Sequence, residues 1–119
     1  MEKINISEKL NLFTDHFNPR IVGELNGQHV KLAKFKGSFV WHKHDLEDEL
    51  FYVLDGEFEM HFRDRVVTLK KNDMIIVPHG VEHKPVAKDE VSVLLFEPAA
   101  TLNTGNIENE LTRKNLEQI

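Results

Sequence analysis

Two histidines and a glutamate lie close together near the middle of the sequence. His42 and His44 are two residues apart, and Glu49 follows after four intervening residues. Side chains two residues apart on a β-strand point to the same face, about 6.6 Å apart along the chain. Both imidazoles could then reach one metal ion at about 2.0–2.2 Å. A His-x-His pair on its own is more often a pair of surface histidines, so ligation needs support from the rest of the chain.

A third histidine lies in a turn-forming segment further along the chain. Pro78 predicts the end of a strand, Gly80 permits a tight bend, and His83 begins the next strand. Closing a barrel makes neighbours of strands that are distant in sequence. The segment therefore offers a fourth candidate ligand far along the chain from the first three.

Short apolar runs separated by turn residues must position these side chains. Phe58, Met60 and Phe62 alternate with polar residues, which predicts a half-buried strand. The Asp55-Gly56 dipeptide joins this strand to the apolar run 50–54 and predicts a hairpin. Further strands are predicted at residues 28–35, 66–69, 74–77 and 91–96. This spacing, with turns every 8–12 residues, predicts an all-β sandwich or barrel.

The apolar side chains of the hairpin are expected to fill the interior. These are Phe51, Val53, Phe58, Met60 and Phe62. Phe51 and Met60 are also candidates for lining a pocket near the metal. Phe39 and Trp41 alternate with the first histidine, so we expect them to pack outside the site. The polar tail, residues 107–119, is interpreted as a short arm or helix on the barrel.

The first histidine segment resembles the first motif of the cupin superfamily. That motif runs Gly, His-x-His, three or four residues, Glu, six residues, Gly. His42, His44, Glu49 and Gly56 fit it with four and six intervening residues. Gly37 precedes the first histidine by one residue fewer than the pattern expects.

The second segment resembles the second cupin motif, which ends Pro-x-Gly, two residues, His. Pro78, Gly80 and His83 fit it, and the resemblance covers about residues 28–98. Asn72 stands where this motif usually opens with Gly. Asn is the non-glycine residue that best tolerates the left-handed backbone region, so the turn can survive. None of the departures removes a ligand.

The resemblance implies a small cupin with a double-stranded β-helix, a jelly-roll-like barrel with short terminal arms or helical turns. The barrel core would span about residues 28–98 of a single domain, residues 1–119. It also implies one divalent metal held by His42, His44, Glu49 and His83. Imidazole and carboxylate ligands suit Mn, Fe, Ni, Zn or Cu, and an octahedral ion would keep two positions open for substrate, O₂ or water. No catalytic residue beyond these ligands is identified.

Three kinds of function are compatible with such a site. The first is a metal-dependent enzyme acting on a small organic substrate as a dioxygenase, isomerase or decarboxylase. Sugar-phosphate isomerase activity belongs to this class, but it rests on fold analogy. The second is a small-molecule-binding or sensor protein without catalysis, and the third is a structural role with a vestigial site. The sequence leaves open whether the protein is an enzyme, and whether it would be an oxidoreductase or an isomerase.

Composition and charge limit the expected binding partners and the expected cellular location. The chain has 119 residues and a formal net charge of -5, without a dense Lys/Arg run, which disfavours nucleic acid and anionic lipid as partners. It has no apolar run of about 18 residues and no secretory signal. The absence of cysteine suits a reducing cytoplasm. A homodimer is expected, because outward-facing Phe39 and Trp41 and the sheet edges need covering.

Overall fold

The computed structural model describes residues 1–119 and is almost entirely β-sheet. Its elements are α1 (Ile6–Leu10), β1 (Arg20–Leu25), β2 (Gln28–Ser38), β3 (Glu49–Asp55), β4 (Glu57–Phe62), β5 (Val66–Lys70), β6 (Met74–Val77) and β7 (His83–Pro98). The all-β prediction is confirmed. The one helix has five residues, so no helix is long enough to cross a membrane.

β7 organises the sheet, because it pairs with three different strands. Along one edge it pairs with β2, and along the other it pairs first with β4 and then with β3. β1 and β6 extend this sheet beyond β2 and β3, and β5 extends it beyond β4. Irregular registers between Phe35 and Gly37 and between Val53 and Asp55 are the kind of bulge that lets strands bend. The sheet thereby folds into the double-stranded β-helix that the sequence predicts.

The folded sheet surrounds the interior, which is filled by side chains at alternating strand positions. Phe51, Val53, Phe58 and Met60 are buried, and Phe62 packs against them, as predicted. Side chains of β7 complete the interior, with Val91 and Val93 fully buried. The period-2 pattern of these strands therefore places one set of residues inside and aims the neighbouring set outward.

Phe39 does not lie outside the site, and that prediction is wrong. β2 ends at Ser38, so the strand alternation used in the prediction no longer applies beyond it. The Phe39 ring stacks on Phe17 with centroids 4.9 Å apart and meets the His42 ring edge-on at 5.3 Å. Trp41 differs, since it lies half-buried beneath the guanidinium of Arg63, 3.8 Å from the ring centroid.

The chain termini cover part of the outer sheet face. Phe13, Val22 and Leu32 form a second, smaller core there, with residues of α1 and the last residue packed against it. Ile119 donates its backbone N–H to Ile21 O at 3.0 Å. Residues 107–119 are turns and one isolated bridge, so the tail is an arm and not a helix. β1 went unpredicted because Gly23 and Glu24 interrupt its apolar pattern.

Candidate metal centre

Four side chains meet at one end of the barrel. Glu49 is the first residue of β3 and His83 the first of β7, while His42 and His44 come from the irregular segment between β2 and β3. Paired backbone hydrogen bonds join His42 and His83 at 3.1 and 2.9 Å. All four side chains are buried, and one potential ligand atom from each lies within 4.8 Å of all the others. The residues predicted from the sequence are therefore brought together and could hold a metal ion.

Backbone carbonyls fix the orientation of two of the imidazoles. Nδ1 of His42 lies 2.9 Å from Val40 O, and Nδ1 of His83 lies 2.9 Å from Val81 O. A carbonyl can only accept, so both Nδ1 atoms carry hydrogen and donate. The Nε2 atoms then present lone pairs, which is the form in which imidazole binds metal. The two ring centroids are 4.2 Å apart.

Three atoms at the centre of the cluster lack hydrogen-bond partners. These are His44 Nε2, His83 Nε2 and Glu49 Oε1, all of them buried. The two nitrogens lie 3.2 and 3.5 Å from the carboxylate oxygen. A buried polar group without a partner costs on the order of 1–3 kcal/mol. A divalent cation between them would satisfy all three, so the residues fit the metal that the sequence implies.

The pKa values of His42 and Glu49 favour the protonation states in which these side chains can bind a metal. Burial, reinforced by repulsion from His83, lowers the pKa of His42 to about 4, so this ring is neutral at pH 7. Burial opposes ionisation of Glu49, but a hydrogen bond from Glu97 and the closeness of the His44 and His83 rings outweigh it and hold its pKa well below the usual value. Neutral imidazole and ionised carboxylate are the protonation states that metal binding requires.

Acid is expected to destabilise the metal-free protein through His42. Its pKa is 6.5 as a free side chain and about 4 in the folded protein. Between these values the unfolded chain holds a proton that the folded chain does not. This contribution is therefore complete above pH 6.5 and is lost as the pH falls toward 4. The loss amounts to about 3 kcal/mol.

Urea unfolding at a series of pH values measures this loss. A His42→Gln variant should show a much weaker dependence on pH in the same range. The raised pKa of Glu97 makes the stability change with pH in the opposite direction, so both proteins in the comparison keep Glu97. Parallel pH profiles for the two proteins would contradict the assignment to His42.

Two buried charged residues near the site were missed in the sequence. Lys31 Nζ bonds Glu97 Oε1 at 2.7 Å, and both side chains are about 1% exposed. Leu50 pairs with Phe96 across β3 and β7, so Glu97 is the cross-strand neighbour of Glu49. The sequence contains a signal for Glu97. Val91, Val93 and Leu95 occupy every second position of a buried strand face, and Glu97 is the next residue on that face.

Two carboxyl groups thus lie side by side in the interior. Burial raises the pKa of Glu97 well above its usual value, and the negative charge of Glu49 raises it further. Lys31 opposes this rise but does not overcome it. Neighbouring carboxyls that cannot both ionise share a proton, so Glu97 is the partner that retains it.

The C-terminal tail secures the backbone between the two nearby histidines. Asn106 accepts a hydrogen bond from Lys43 N at 2.9 Å through Oδ1 and donates its own N–H to Lys43 O at 3.0 Å. Gly105 has a φ of +56°, and a Cβ built on it would clash with Lys43 O. Only glycine fits this close approach.

Replacing Gly105 with alanine should therefore lower stability by about 2 kcal/mol or more, through left-handed strain plus the clash. Gly27→Ala is the matched control, because Gly27 has a φ of +75° but nothing within 4 Å of a built Cβ. The control should lose only about 1 kcal/mol. Urea unfolding measures both. Equal losses would show that the contact with Lys43 contributes nothing.

A small pocket opens beside the cluster. Its empty space is about 360 Å³ when the open solvent at its mouth is included. Most of its wall is apolar, from Phe17, Pro19, Phe35, Phe39, Phe51, Pro85 and Leu95. His42, Glu49, Glu97 and Asn103 supply the polar part. Phe51 lines the pocket as predicted, whereas Met60 lies in the core away from it.

The fold and the cluster define a double-stranded β-helix protein with a candidate metal centre at one end. The cupin domain family matches residues 28–97, which is more than half of the chain. The chain belongs to the cupin family.

Several proteins of known sequence or structure are similar to the chain. A cupin-2 domain containing protein from Shewanella frigidimarina is 44% identical, with a TM-score of 0.79 over 80% of this chain and 93% of that one. Protein NMB1881 from Neisseria meningitidis is 27% identical, with a TM-score of 0.76 over 82% and 100%. The uncharacterized protein YdbB from Bacillus subtilis is 42% identical over 64 residues, 53% of this chain. The chain spans 57% of the length of YdbB.

Proposed function

We propose that this cupin binds one divalent transition metal, Mn, Fe, Ni, Zn or Cu, through His42, His44, Glu49 and His83. We further propose that it is a metal-dependent enzyme acting on a small organic substrate, in the cytoplasm. The observation that carries the proposal is the convergence of three buried, unpartnered ligand atoms beside a small pocket that opens to solvent.

The residues of the chain orient the candidate metal ligands and exclude water from the pocket beside them. When bound, a divalent ion would supply a Lewis acid that polarises substrate oxygen atoms. The carbonyls of Val40 and Val81 hold two imidazoles in the ligating tautomer. Phe39 and Phe51 wall the pocket next to these rings, which keeps the surroundings apolar and strengthens electrostatic interactions there. A redox-active ion would suit an oxidoreductase, and a redox-inert ion an isomerase or decarboxylase.

Elemental analysis of natively purified protein is the first test. We expect about one equivalent of one transition metal per chain, removed by a chelator and restored by the same ion. Trp41 is the only tryptophan and adjoins His42, so its fluorescence should report the titration. A substrate screen with the identified ion follows. Absence of metal at purification, with no binding of any of the five candidate ions, would overturn the proposal.

Ligand binding without catalysis is the second candidate function. Asn103, the one pocket residue with a side-chain amide, uses both of its polar atoms in hydrogen bonds to residues 111 and 113. Apart from the candidate metal ligands, Glu97 is then the one ionisable side chain in the pocket lining. Tight binding without product over long incubation would favour this candidate. Sugar-phosphate isomerase activity gains no support, because the pocket lining contains neither Lys nor Arg.

The homodimer stays a prediction, but its basis changes. Phe39 is an interior residue, whereas Met74 and Ile76 are 56% and 55% exposed on the edge strand β6. Light scattering should give about twice the chain mass of 13.8 kDa. Ile76→Lys should shift the protein toward monomer. Leu46→Lys, at an 87% exposed loop residue, should not. A monomeric parent protein at micromolar concentration would contradict the prediction.

A further inference from the structure

We propose that a second pocket, between strands β1 and β2 and the C-terminal tail, binds a small organic anion whose carboxylate or phosphate group pairs with Arg113. This tail pocket shares no lining residue with the pocket beside the candidate metal centre. Binding there is therefore independent of the metal, and the site goes beyond the proposed function.

The tail pocket is large enough for a small molecule. Its volume is about 300 Å³, at the lower end of the range of ligand sites. β1 and β2 contribute Ile21, His29 and Lys31 to its lining, and the rest comes from residues 99–102 and 113–116. Five of the lining residues are apolar, which suits a ligand with a short hydrocarbon body.

The charged side chains of this lining are cationic. Lys31, Arg113 and Lys114 line the tail pocket, and no aspartate or glutamate does. Lys31 and Lys114 already have carboxyl partners, because their Nζ atoms lie 2.7 Å from oxygens of Glu97 and Glu108, respectively. A cleft lined by charges of one sign attracts ligands of the opposite sign. Arg113 is the cation whose charge remains available to such a ligand.

The guanidinium of Arg113 has one edge free. It forms hydrogen bonds only with backbone carbonyls, from Nη1 to Glu110 O at 3.0 Å and to Thr112 O at 3.5 Å. Nε and Nη2, which together form one edge of the group, make no hydrogen bond within the chain. Two parallel N–H groups of this kind match the oxygens of a carboxylate or a phosphate. The free edge therefore specifies an oxyanion.

His29 offers a second donor to the same ligand. Its Nδ1 is buried and has no hydrogen-bond partner, and its Nε2 lies 3.7 Å from Glu24 Oε2, which is too far for a hydrogen bond. Buried polar atoms are nearly always paired, so an unpaired one in a pocket lining points to a missing partner. An imidazole that carries hydrogen on Nδ1 can donate it to an anion.

Side-chain hydrogen bonds hold the tail in the form that presents Arg113. The Arg113 N–H donates to Asn103 Oδ1 at 2.8 Å, and Asn103 Nδ2 donates to Leu111 O at 2.9 Å. Thr104 is fully buried, and its Oγ1 lies 2.6 Å from Thr112 Oγ1. These bonds fix a segment that has no regular secondary structure, so this wall of the tail pocket is formed before a ligand arrives.

The test is an NMR titration of the protein as purified with pentanoate, butyl phosphate and 1-butanol, at constant ionic strength. The three probes share a butyl chain and differ only in the head group. We expect the anions to bind about tenfold or more tightly than butanol, and the tighter anion identifies the preferred head group. The amide signals of residues 29–31, 99–102 and 113–116 should shift. Protein treated with a chelator should bind the anions equally well, whereas an anion held by the metal would be lost.

Arg113→Gln should weaken binding of both anions by about tenfold or more and leave binding of butanol unchanged. Arg113→Lys keeps the charge but loses the two parallel N–H groups, so its affinity should fall between those of the parent and Arg113→Gln. Arg65→Gln is the matched control, because Arg65 is an exposed arginine in the turn between β4 and β5. The control should bind the anions like the parent.

Several results would overturn the proposal. These are anions that bind no more tightly than butanol, an Arg113→Gln variant that binds like the parent, and signal changes confined to residues 39–49 that disappear with the metal. If Arg113→Gln does not fold, the ranking of the probes and the position of the shifted signals on the parent protein still decide. Elemental analysis tests the metal centre separately.

Discussion

Replacing His83 with alanine should weaken metal binding by more than about a hundredfold. Four-ligand sites contribute roughly 10–16 kcal/mol of apparent binding free energy, or about 3 kcal/mol per ligand. That loss corresponds to more than two orders of magnitude in Kd. The lone pair of His83 Nε2 has no other partner in the protein, so no alternative contact compensates when the ring is removed.

His79→Ala is the matched control for this substitution. His79 lies in the turn just before β7, is 62% exposed, and hydrogen-bonds Asp48 at the surface. Fluorescence titration of Trp41 with the native ion measures Kd in both variants. We expect the control to bind metal like the parent. Equal binding by His83→Ala and the parent would show that the centre does not use this ring.

Replacing Lys31 with methionine should destabilise the protein by about 3–5 kcal/mol at neutral pH. Lys31 is the buried cation beside the single negative charge that Glu49 and Glu97 share, and removing it leaves that charge without compensation. Lys31 and Glu97 have side-chain exposures of only 2% each, so water cannot take over the role of the partner. Such a loss is a large fraction of the 5–15 kcal/mol that typically stabilises a domain. The loss should shrink in acid, because the second carboxyl group of the pair, Glu49, can then be protonated as well.

The double variant Lys31→Met, Glu97→Leu is the decisive comparison. Replacing a whole buried pair by apolar side chains is often neutral or stabilising, so the double variant should recover most of the lost stability. Urea unfolding of the parent, the single variant and the double variant gives the three free energies. If the double variant is no more stable than Lys31→Met, the loss comes from poor packing of methionine and not from the unpaired carboxyl.

The candidate ligands could be found in the sequence because their spacing is rigid. His42, His44 and Glu49 lie in one short segment just before the apolar run 50–54. His83 was found through Pro78 and Gly80, whose backbone requirements mark a turn. These patterns involve residues close together in sequence, so they can be recognised without knowledge of the fold.

The residues that surround the site could not be predicted from local spacing. Glu97 and Lys31 are far apart in sequence, and only the register of β2 against β7 joins them. Charged residues are usually solvated, and no prediction from the sequence was made for either residue. Phe39 was misplaced because alternation was extended past Ser38, where the strand ends. The pairing of strands, not the pattern within one strand, decides these positions.

One consequence arises from the way β7 is embedded. Its first residue, His83, belongs to the metal centre, and Glu97 lies near its far end. Between them it pairs with β2 over most of its length, and on its other edge with β4 at residues 83–86 and with β3 at residues 92–96, while residues 88–90 pair with none of the three. It cannot separate without losing its pairing with all three strands, so we expect the paired amide hydrogens of β7 to exchange with solvent mainly during global unfolding. Release of His83 from the candidate metal centre would then accompany unfolding of the whole protein.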